Sequence, residues 1–206
     1  LDIARRLAND APTPEALRDL SISLERVGDV RRARGLLEDA ANAHDASHHI
    51  RRRLANDYGP TPEALRDLSV GLERVGDVRR TRGRLEDAGN AHDESLDIRR
   101  RLAKDAPTPE ALRDLSLSLW RVGDLAREAG EADRARALLE ESRDLQRQLL
   151  KILDPLPQVL GDSKLILGTL RDLYEELSDT EALEGASDEL TALSGTGEPP
   201  TEPSPG

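Results

Sequence analysis

The chain has no cysteine, methionine or phenylalanine, and its 206 residues include one tryptophan and two tyrosines. The lack of cysteine excludes disulfides, thiol nucleophiles and metal sites held by thiolates. No apolar run approaches the roughly 18 residues that a membrane span needs, so we expect no membrane association and a cytoplasmic location. The apolar residues are almost all Leu, Ala, Val and Ile, a composition that favours helices over sheets.

The net charge of −11 is concentrated in one part of the chain. Residues 1–153 carry 29 acidic and 28 basic side chains, whereas residues 154–206 carry 12 acidic and 2 basic ones. A nucleic-acid-binding protein normally shows a basic stripe with interleaved aromatic residues. This sequence shows neither feature, so we expect no nucleic-acid partner. Arginine outnumbers lysine 27 to 3, a preference that we associate with GC-rich bacterial genomes.

Long internal repeats are the main feature of the sequence. The segment 13–20 (TPEALRDL) recurs at 61–68 and 108–115, with periods of 48 and 47 residues. Residues 13–45 and 61–93 are identical at 28 of 33 positions. Such periods are typical of solenoids, in which each unit buries its apolar face against its neighbours.

Each unit is predicted to form two helices. Thr13 is suited to cap the first helix, and Pro14 is favoured at its first position. Apolar residues then follow at steps of three and four, as on one face of a helix: Leu17, Leu20, Leu24 and Val27. A glycine ends this helix in each unit: Gly35, Gly83 and Gly130. The second helix is expected at about 36–54.

These residues resemble the tetratricopeptide repeat (TPR) family, whose pattern is Trp-x2-Leu-Gly-x2-Tyr followed by Ala-x3-Phe. The first unit matches with Leu24, Val27, Gly28, Ala40 and His44. The later units match with Leu72, Val75, Gly76, Ala88 and His92, and with Leu119, Val122, Gly123, Ala135 and Leu139. Aromatic positions of the pattern hold other residues, and the period exceeds the family's usual length of about 34 residues. The chain therefore resembles a long-period, degenerate bacterial variant.

The resemblance implies an all-α, right-handed solenoid of antiparallel helix pairs, with about three units and a C-terminal helical cap. We expect residues 1–10 to end a truncated unit, so that the chain is a piece of a longer protein. Full repeats are expected at 13–55, 61–103 and 108–153. Pro155 and Pro157 interrupt the pattern, and 157–193 is expected to form a capping helix pair or a decayed fourth repeat. Residues 194–206 are expected to be a disordered acidic tail rich in proline and glycine.

One row of residues beside the packing face of each first helix is the candidate binding site. By resemblance to the family, this groove row would line a concave groove that holds a peptide. Its members are Glu25, Asp29 and Arg32, then Glu73, Asp77 and Arg80, then Trp120, Asp124 and Arg127. The Asp and Arg residues could instead form ladders of surface ion pairs. Trp120 either anchors a partner or covers the helices that follow Pro157.

We expect no catalytic residues, no cofactor and no metal ion. His44 and His48, one helical turn apart, imitate the HExxH zinc motif, but the second unit has Leu96 where a second histidine would be needed. His44 and His92 are interpreted as half-buried packing residues. Carboxylate pairs recur with the repeat, as on solvated helix faces, and no glycine-rich phosphate loop occurs.

The predicted function is that of a protein–protein interaction module, which serves as a scaffold or sensor segment of a larger bacterial protein and binds a peptide or protein in its groove. A second hypothesis is a structural spacer, or an element that self-associates through its truncated N-terminal edge. A third hypothesis is the regulatory repeat region of a multidomain signalling ATPase or protease.

Overall fold

The structure, a computed structural model, describes residues 1–153 and 156–195. It divides into two compact units: unit 1 is Leu1–Ala111 and unit 2 begins at Leu112. All regular secondary structure of the described residues is helical. The helices are α1 (Asp2–Asp10), α2 (Pro14–Ala33), α3 (Leu37–Asp57), α4 (Pro62–Thr81), α5 (Leu85–Asp105), α6 (Pro109–Glu128), α7 (Ala132–Ile152), α8 (Pro157–Glu176) and α9 (Thr180–Gly195).

The repeated Thr-Pro dipeptides start helices as the sequence predicts. In α2 the Thr13 hydroxyl accepts a hydrogen bond from the backbone N–H of Ala16 at 3.2 Å, and Pro14 is the first helical residue. The same bond, at the same length, occurs at the starts of α4 and α6. Each threonine thus satisfies a backbone donor that has no partner within the helix.

The predicted glycine stops are also confirmed. The glycines have φ angles between 74° and 78°, the left-handed conformation that favours glycine: Gly35, Gly83 and Gly130. After Gly35, the N–H of Leu36 returns to the carbonyl of Arg31 at 2.9 Å, which closes the helix end. The second helices are slightly longer than expected, since the first of them runs over Leu37–Asp57.

Small residues bring the two helices of a pair together in unit 1. A Cβ atom on Gly28 would lie 2.6 Å from the His44 ring, and a Cβ atom on Gly76 would lie equally close to the ring of His92. Ala40 is fully buried at the same interface. The glycine and alanine of the repeat are therefore needed for close packing, as the sequence indicates.

Unit 2 has a larger apolar core, contributed by α6 to α9. Its fully buried members include Leu139, Ile166, Leu167, Leu170, Leu173 and Tyr174. The last helix pair begins and ends close to the expected 157–193, although α9 continues to Gly195 and so includes the first two residues of the expected tail. Residues 196–206 lie outside the described part of the chain.

The last helix pair makes the same contacts as an ordinary repeat. In unit 1, Arg18 pairs with Asp67 across 49 residues, and in unit 2 Arg113 pairs with Asp162 across 49 residues. Second helices are likewise joined by an arginine–glutamate pair across 42 residues in both units: Arg52 with Glu94 and Arg147 with Glu189. These contacts favour a fourth repeat over a separate cap for α8 and α9.

Candidate protein-binding surface

In unit 1 the helices α2 and α4, which carry the groove row, lie side by side. Arg18 of α2 donates to Asp67 of α4 at 2.8 Å. Glu25 of α2 lies 3.7 Å from the Arg74 guanidinium of α4. These contacts hold the two helices in register, because each one joins the same turns of successive repeats.

The glutamates of the groove row are engaged inside the protein. Arg51 of α3, whose side chain is only 5% exposed, pairs with Glu25 and also donates to the carbonyl of Asp67 at 3.2 Å. Arg99 of α5 lies 3.8 Å from Glu73 in the next repeat. A buried guanidinium needs a carboxylate nearby. Glu25 and Glu73 therefore serve mainly to bind the helices to each other.

The aspartates of the groove row lie beside buried histidines. The Nε2 atom of His44 is 3.8 Å from Asp29, and that of His92 is 3.6 Å from Asp77. Burial lowers the pKa of His44, and the charge of Asp29 opposes this only in part, so the ring is neutral at pH 7. The side chain of Asp29 is 37% exposed, but its Oδ1 atom is buried and has no hydrogen-bond partner among the described residues.

The histidines are packing residues, but they are more deeply buried than the sequence analysis expected. His44 and His92 are each 2% exposed, because each ring fills the space above a glycine. His48 has a different partner, since its Nε2 atom accepts a hydrogen bond from Arg52 at 3.3 Å. Within residues 1–153 and 156–195 no group of three or more ligand-type side chains could hold a metal ion.

The arginines of the groove row in unit 1 lie at its outer edge. Arg32 is exposed and Arg80 is half-buried. The remaining charged residues of the row in unit 1 are Asp29 and Arg32 in one repeat and Asp77 and Arg80 in the next. The row thus presents both signs of charge in each of two successive repeats.

In unit 2 the three members of the groove row contact their own unit. The Trp120 indole N–H donates to Thr169 at 2.9 Å, and the ring is partly buried against the apolar core. Arg127 donates to Asp124 at 3.2 Å and to Glu176 at 2.7 Å. Trp120 therefore contacts α8, as expected if it covers the helices that follow Pro157.

The buried arginines were not predicted from the sequence, although the repeat contains a signal for them. Where the first helix has Glu25 or Glu73, the second helix has Arg51 or Arg99. The third unit replaces the glutamate by Trp120 and the arginine by Gln146, whose amide donates to Ser116 at 2.8 Å. Both members of the pair change together, as expected of residues in contact.

No protein-family model matches the chain, and no curated protein matches it. Solved structures do match. BtubC (BKLC) from P. vanneervenii is 15% identical, with a TM-score of 0.60 over 100% of this chain and 91% of that one. A putative kinesin light chain of Podosopora anserina with nearly identical TPR-like repeats is 14% identical, with a TM-score of 0.62 over 95% and 93%.

These neighbours define the class of protein. The chain has an all-α, TPR-like helical repeat fold of paired helices, as its sequence predicts. At such low identities the likeness shows the fold alone. In the part of the chain that the structure describes, no helix has both the length and the apolar character to cross a membrane.

Proposed function

We propose that the chain is a protein-interaction module, a scaffold or sensor segment, and that unit 1 binds an extended peptide or protein segment along α2 and α4. One observation carries this proposal: the Asp29 side chain is 37% exposed, while its buried Oδ1 atom lies 3.8 Å from the neutral ring of His44 and accepts no hydrogen bond. The same arrangement of aspartate over histidine recurs in the next repeat at Asp77 and His92. Repeated, firmly supported charges suit a ligand that is itself a repeating chain.

The chemistry of the row specifies the ligand. Asp29 would accept a hydrogen bond from a backbone N–H or a basic side chain of the peptide, since charge-assisted hydrogen bonds are the stronger kind. Arg32, one turn away on the same helix, would donate to a carbonyl or an acidic side chain. A peptide of mixed charge is therefore favoured over a uniformly acidic or basic one.

A peptide-display selection on the whole chain tests this proposal. The selected peptides should lose about tenfold or more in affinity for Asp29→Ala, since a charge-assisted hydrogen bond contributes about 1.5–3 kcal/mol. Asp39→Ala is the matched control, because Asp39 is an exposed aspartate on α3 outside the row. Binding that is insensitive to Asp29→Ala would exclude the row as the peptide site.

Self-association is a second candidate function, and α1 provides the observation for it. Ile3 and Leu7 are 77% and 57% exposed. Leu54, the residue of α3 equivalent to Leu7, is 9% exposed because it packs with Leu17. The apolar face of α1 thus has no equivalent cover, and exposed apolar surface promotes association.

Sedimentation velocity separates this candidate from the first. The variant Ile3→Asp with Leu7→Asp should remain monomeric at concentrations where the unaltered chain forms dimers. Arg5→Asp is the control, since it adds negative charge on the same helix without removing apolar surface. If all three proteins sediment as monomers, the α1 face does not drive self-association.

A further inference from the structure

Unit 1 contains a crevice of about 500 Å³ between α3, α4 and α5. Its floor is apolar and buried, and consists of Leu72, Val75 and Ala91. Its walls are polar and consist of Asp45, His48, His49, Arg52, Arg79, Asn90 and Glu94. The volume lies within the range of about 300–1,000 Å³ found for sites that hold small molecules.

The repeat identifies the equivalent location in unit 2. Helices α7, α8 and α9 begin 95 residues after α3, α4 and α5 (132 less 37, 157 less 62 and 180 less 85). An opening in unit 2 shares four of the lining positions, at Arg143, Arg147, Leu167 and Glu189, and its volume is about 10 Å³. Such a volume is close to the lower limit for one water molecule, about 10–15 Å³.

Larger side chains close the crevice in unit 2. Tyr174 takes the position of Arg79, and Arg143 takes that of His48. Tyr174 is almost completely buried in the core of the unit. The same fold position thus holds a buried tyrosine ring in unit 2 and, in unit 1, the Arg79 side chain in the wall of the crevice.

The contacts of Tyr174 show how unit 2 binds a tyrosine side chain at this position. Its hydroxyl donates to the carboxylate of Glu140 at 2.8 Å, and the guanidinium of Arg136 lies 5.2 Å from the ring centre. Burial, followed by the hydrogen bond to Glu140, raises the pKa of Tyr174 to about 12. The phenol therefore stays protonated and acts as a donor at every physiological pH.

Unit 1 has a carboxylate and apolar residues at the positions that surround the Tyr174 side chain in unit 2. Asp45 stands where unit 2 has Glu140, and its side chain is 44% exposed. Its contact with Arg79 is long, at 3.5 Å, so Asp45 retains the capacity to accept a stronger bond. Leu72 and Val75 form the floor where unit 2 has Leu167 and Leu170.

The remaining walls are held in place by their own partners. Both oxygens of Glu94 lie 2.7 Å from the Arg52 guanidinium, which also donates to His48 at 3.3 Å. Burial, with the nearby charge of Arg52, lowers the pKa of His48 to about 4, so this ring is neutral at pH 7. The crevice is thus preformed, and its carboxylate without a short ion pair is that of Asp45.

We propose that this crevice binds a tyrosine side chain of a partner protein, with the ring on Leu72 and Val75 and the hydroxyl donating to Asp45. The guanidinium of Arg79, at the edge of the crevice, adds a favourable contact with the ring. This site shares α4 with the groove row, but none of the residues that line it belongs to the row. Either site can fail without the other.

A titration of the full chain with N-acetyl-tyrosinamide, followed by amide NMR shifts, tests the proposal. We expect saturable shifts confined to the residues that line the crevice. N-acetyl-phenylalaninamide lacks the hydroxyl and should bind about three- to tenfold more weakly, the net effect of one hydrogen bond. Asp45→Ala should remove this difference between the two compounds.

Filling the crevice provides the second measurement. Arg79→Tyr introduces the residue of unit 2 and should abolish binding, and Val75→Leu, a smaller filling change, should weaken it if the first variant folds poorly. Arg31→Tyr, the same change at the equivalent position of α2, is the matched control and should leave binding unaltered. The proposal is overturned by the absence of saturable shifts, by equal affinity for the two compounds, or by binding that survives in a folded Arg79→Tyr variant.

Discussion

Unit 1 and unit 2 have the same repeat skeleton but different interiors. In both units a serine of the second helix donates to a carbonyl of the first, at 2.8 Å from Ser47 to Ser21 and at 2.7 Å from Ser142 to Ser116. Around this constant bond, unit 1 has paired charges and histidines, whereas unit 2 has Trp120, Leu139 and an apolar core.

The difference shows how one fold supports two roles. The small residues that set the distance between helices are kept, and the neighbouring positions decide what lies between them. Apolar residues close the interior of unit 2, which favours stability. Charged and shorter residues leave a crevice and an underbonded carboxylate in unit 1, which favours binding. Sites of this kind commonly sacrifice some stability for function.

The largest expected effect comes from breaking the buried ion pair of unit 1. Glu25→Ala should lower the free energy of unfolding by about 3–5 kcal/mol, because it leaves the nearly buried Arg51 without its carboxylate. Urea denaturation measures this change. Glu38→Ala is the control, since Glu38 is exposed and should contribute less than about 1 kcal/mol.

The comparison becomes sharper if the residues of unit 2 are moved into unit 1. Glu25→Trp combined with Arg51→Gln should recover most of the stability that Glu25→Ala loses, because the pair Trp120 and Gln146 occupies the same positions in unit 2. A double variant as unstable as Glu25→Ala would mean that the interiors of the two units are not interchangeable.

The next effect in size concerns Trp120. Trp120→Ala should lower the free energy of unfolding by about 2–3 kcal/mol, less than for a fully buried aromatic residue, because the ring is only partly buried. Trp120→Phe should cost about 1 kcal/mol through the lost hydrogen bond to Thr169. Since Trp120 is the only tryptophan, its fluorescence reports this site alone. Fully exposed emission with no loss of stability would favour the partner-anchor hypothesis.

A third prediction uses pH, because all four histidines lie in unit 1. Burial depresses the pKa of His44, and it lowers that of His48 to about 4. The unfolded chain takes up these protons near pH 6.5, before the folded chain does, so stability is lost as the pH falls from 6.5 towards 4. Hydrogen exchange should show this loss in unit 1 and much less in unit 2.

The variant His48→Gln provides the control for this prediction. Glutamine does not titrate, so the decline of unit 1 between pH 6.5 and 4 should become shallower. A pH dependence that is unchanged in this variant would show that His48 does not cause the decline, and one that is equally steep in both units would show that the carboxylates rather than the histidines cause it.

Much of the fold could be predicted from the sequence, because the same local signals recur in each of the three repeats. The Thr-Pro starts, the glycine stops and the close packing at Gly28 all depend on residues near one another in the chain or on one small side chain. The boundaries were less certain: α3 extends to Asp57 and α9 to Gly195, since no strong stop signal precedes these residues.

The candidate site was harder to predict. Helical spacing shows on which face of its own helix a residue lies, but it does not show which long side chain of another helix reaches that residue. The spacing placed Glu25 correctly beside the packing face, yet it could not show that Arg51 of the next helix reaches it. Likewise, the crevice is open because unit 1 has Arg79 where unit 2 has the ring of Tyr174. This difference is recognised only when the two units are compared in the structure.

The smallest expected effect concerns an ion pair that both units share. It tests whether the pair contributes equally to the stability of each unit. Arg52 with Glu94 and Arg147 with Glu189 are the same pair 95 residues apart, and each arginine side chain is nearly half exposed. Exposed pairs contribute about 0.2–1 kcal/mol, so double-mutant cycles with alanine should give coupling energies in this range that agree within about 0.5 kcal/mol. Each arginine has one further side-chain partner, His48 for Arg52 and Asp144 for Arg147, so Arg52→Ala and Arg147→Ala alone should cost similar amounts. If the two coupling energies differ by more than about 1 kcal/mol, the surroundings of the pair are not equivalent. The comparison with Tyr174, from which the ligand of the crevice was inferred, would then no longer be justified.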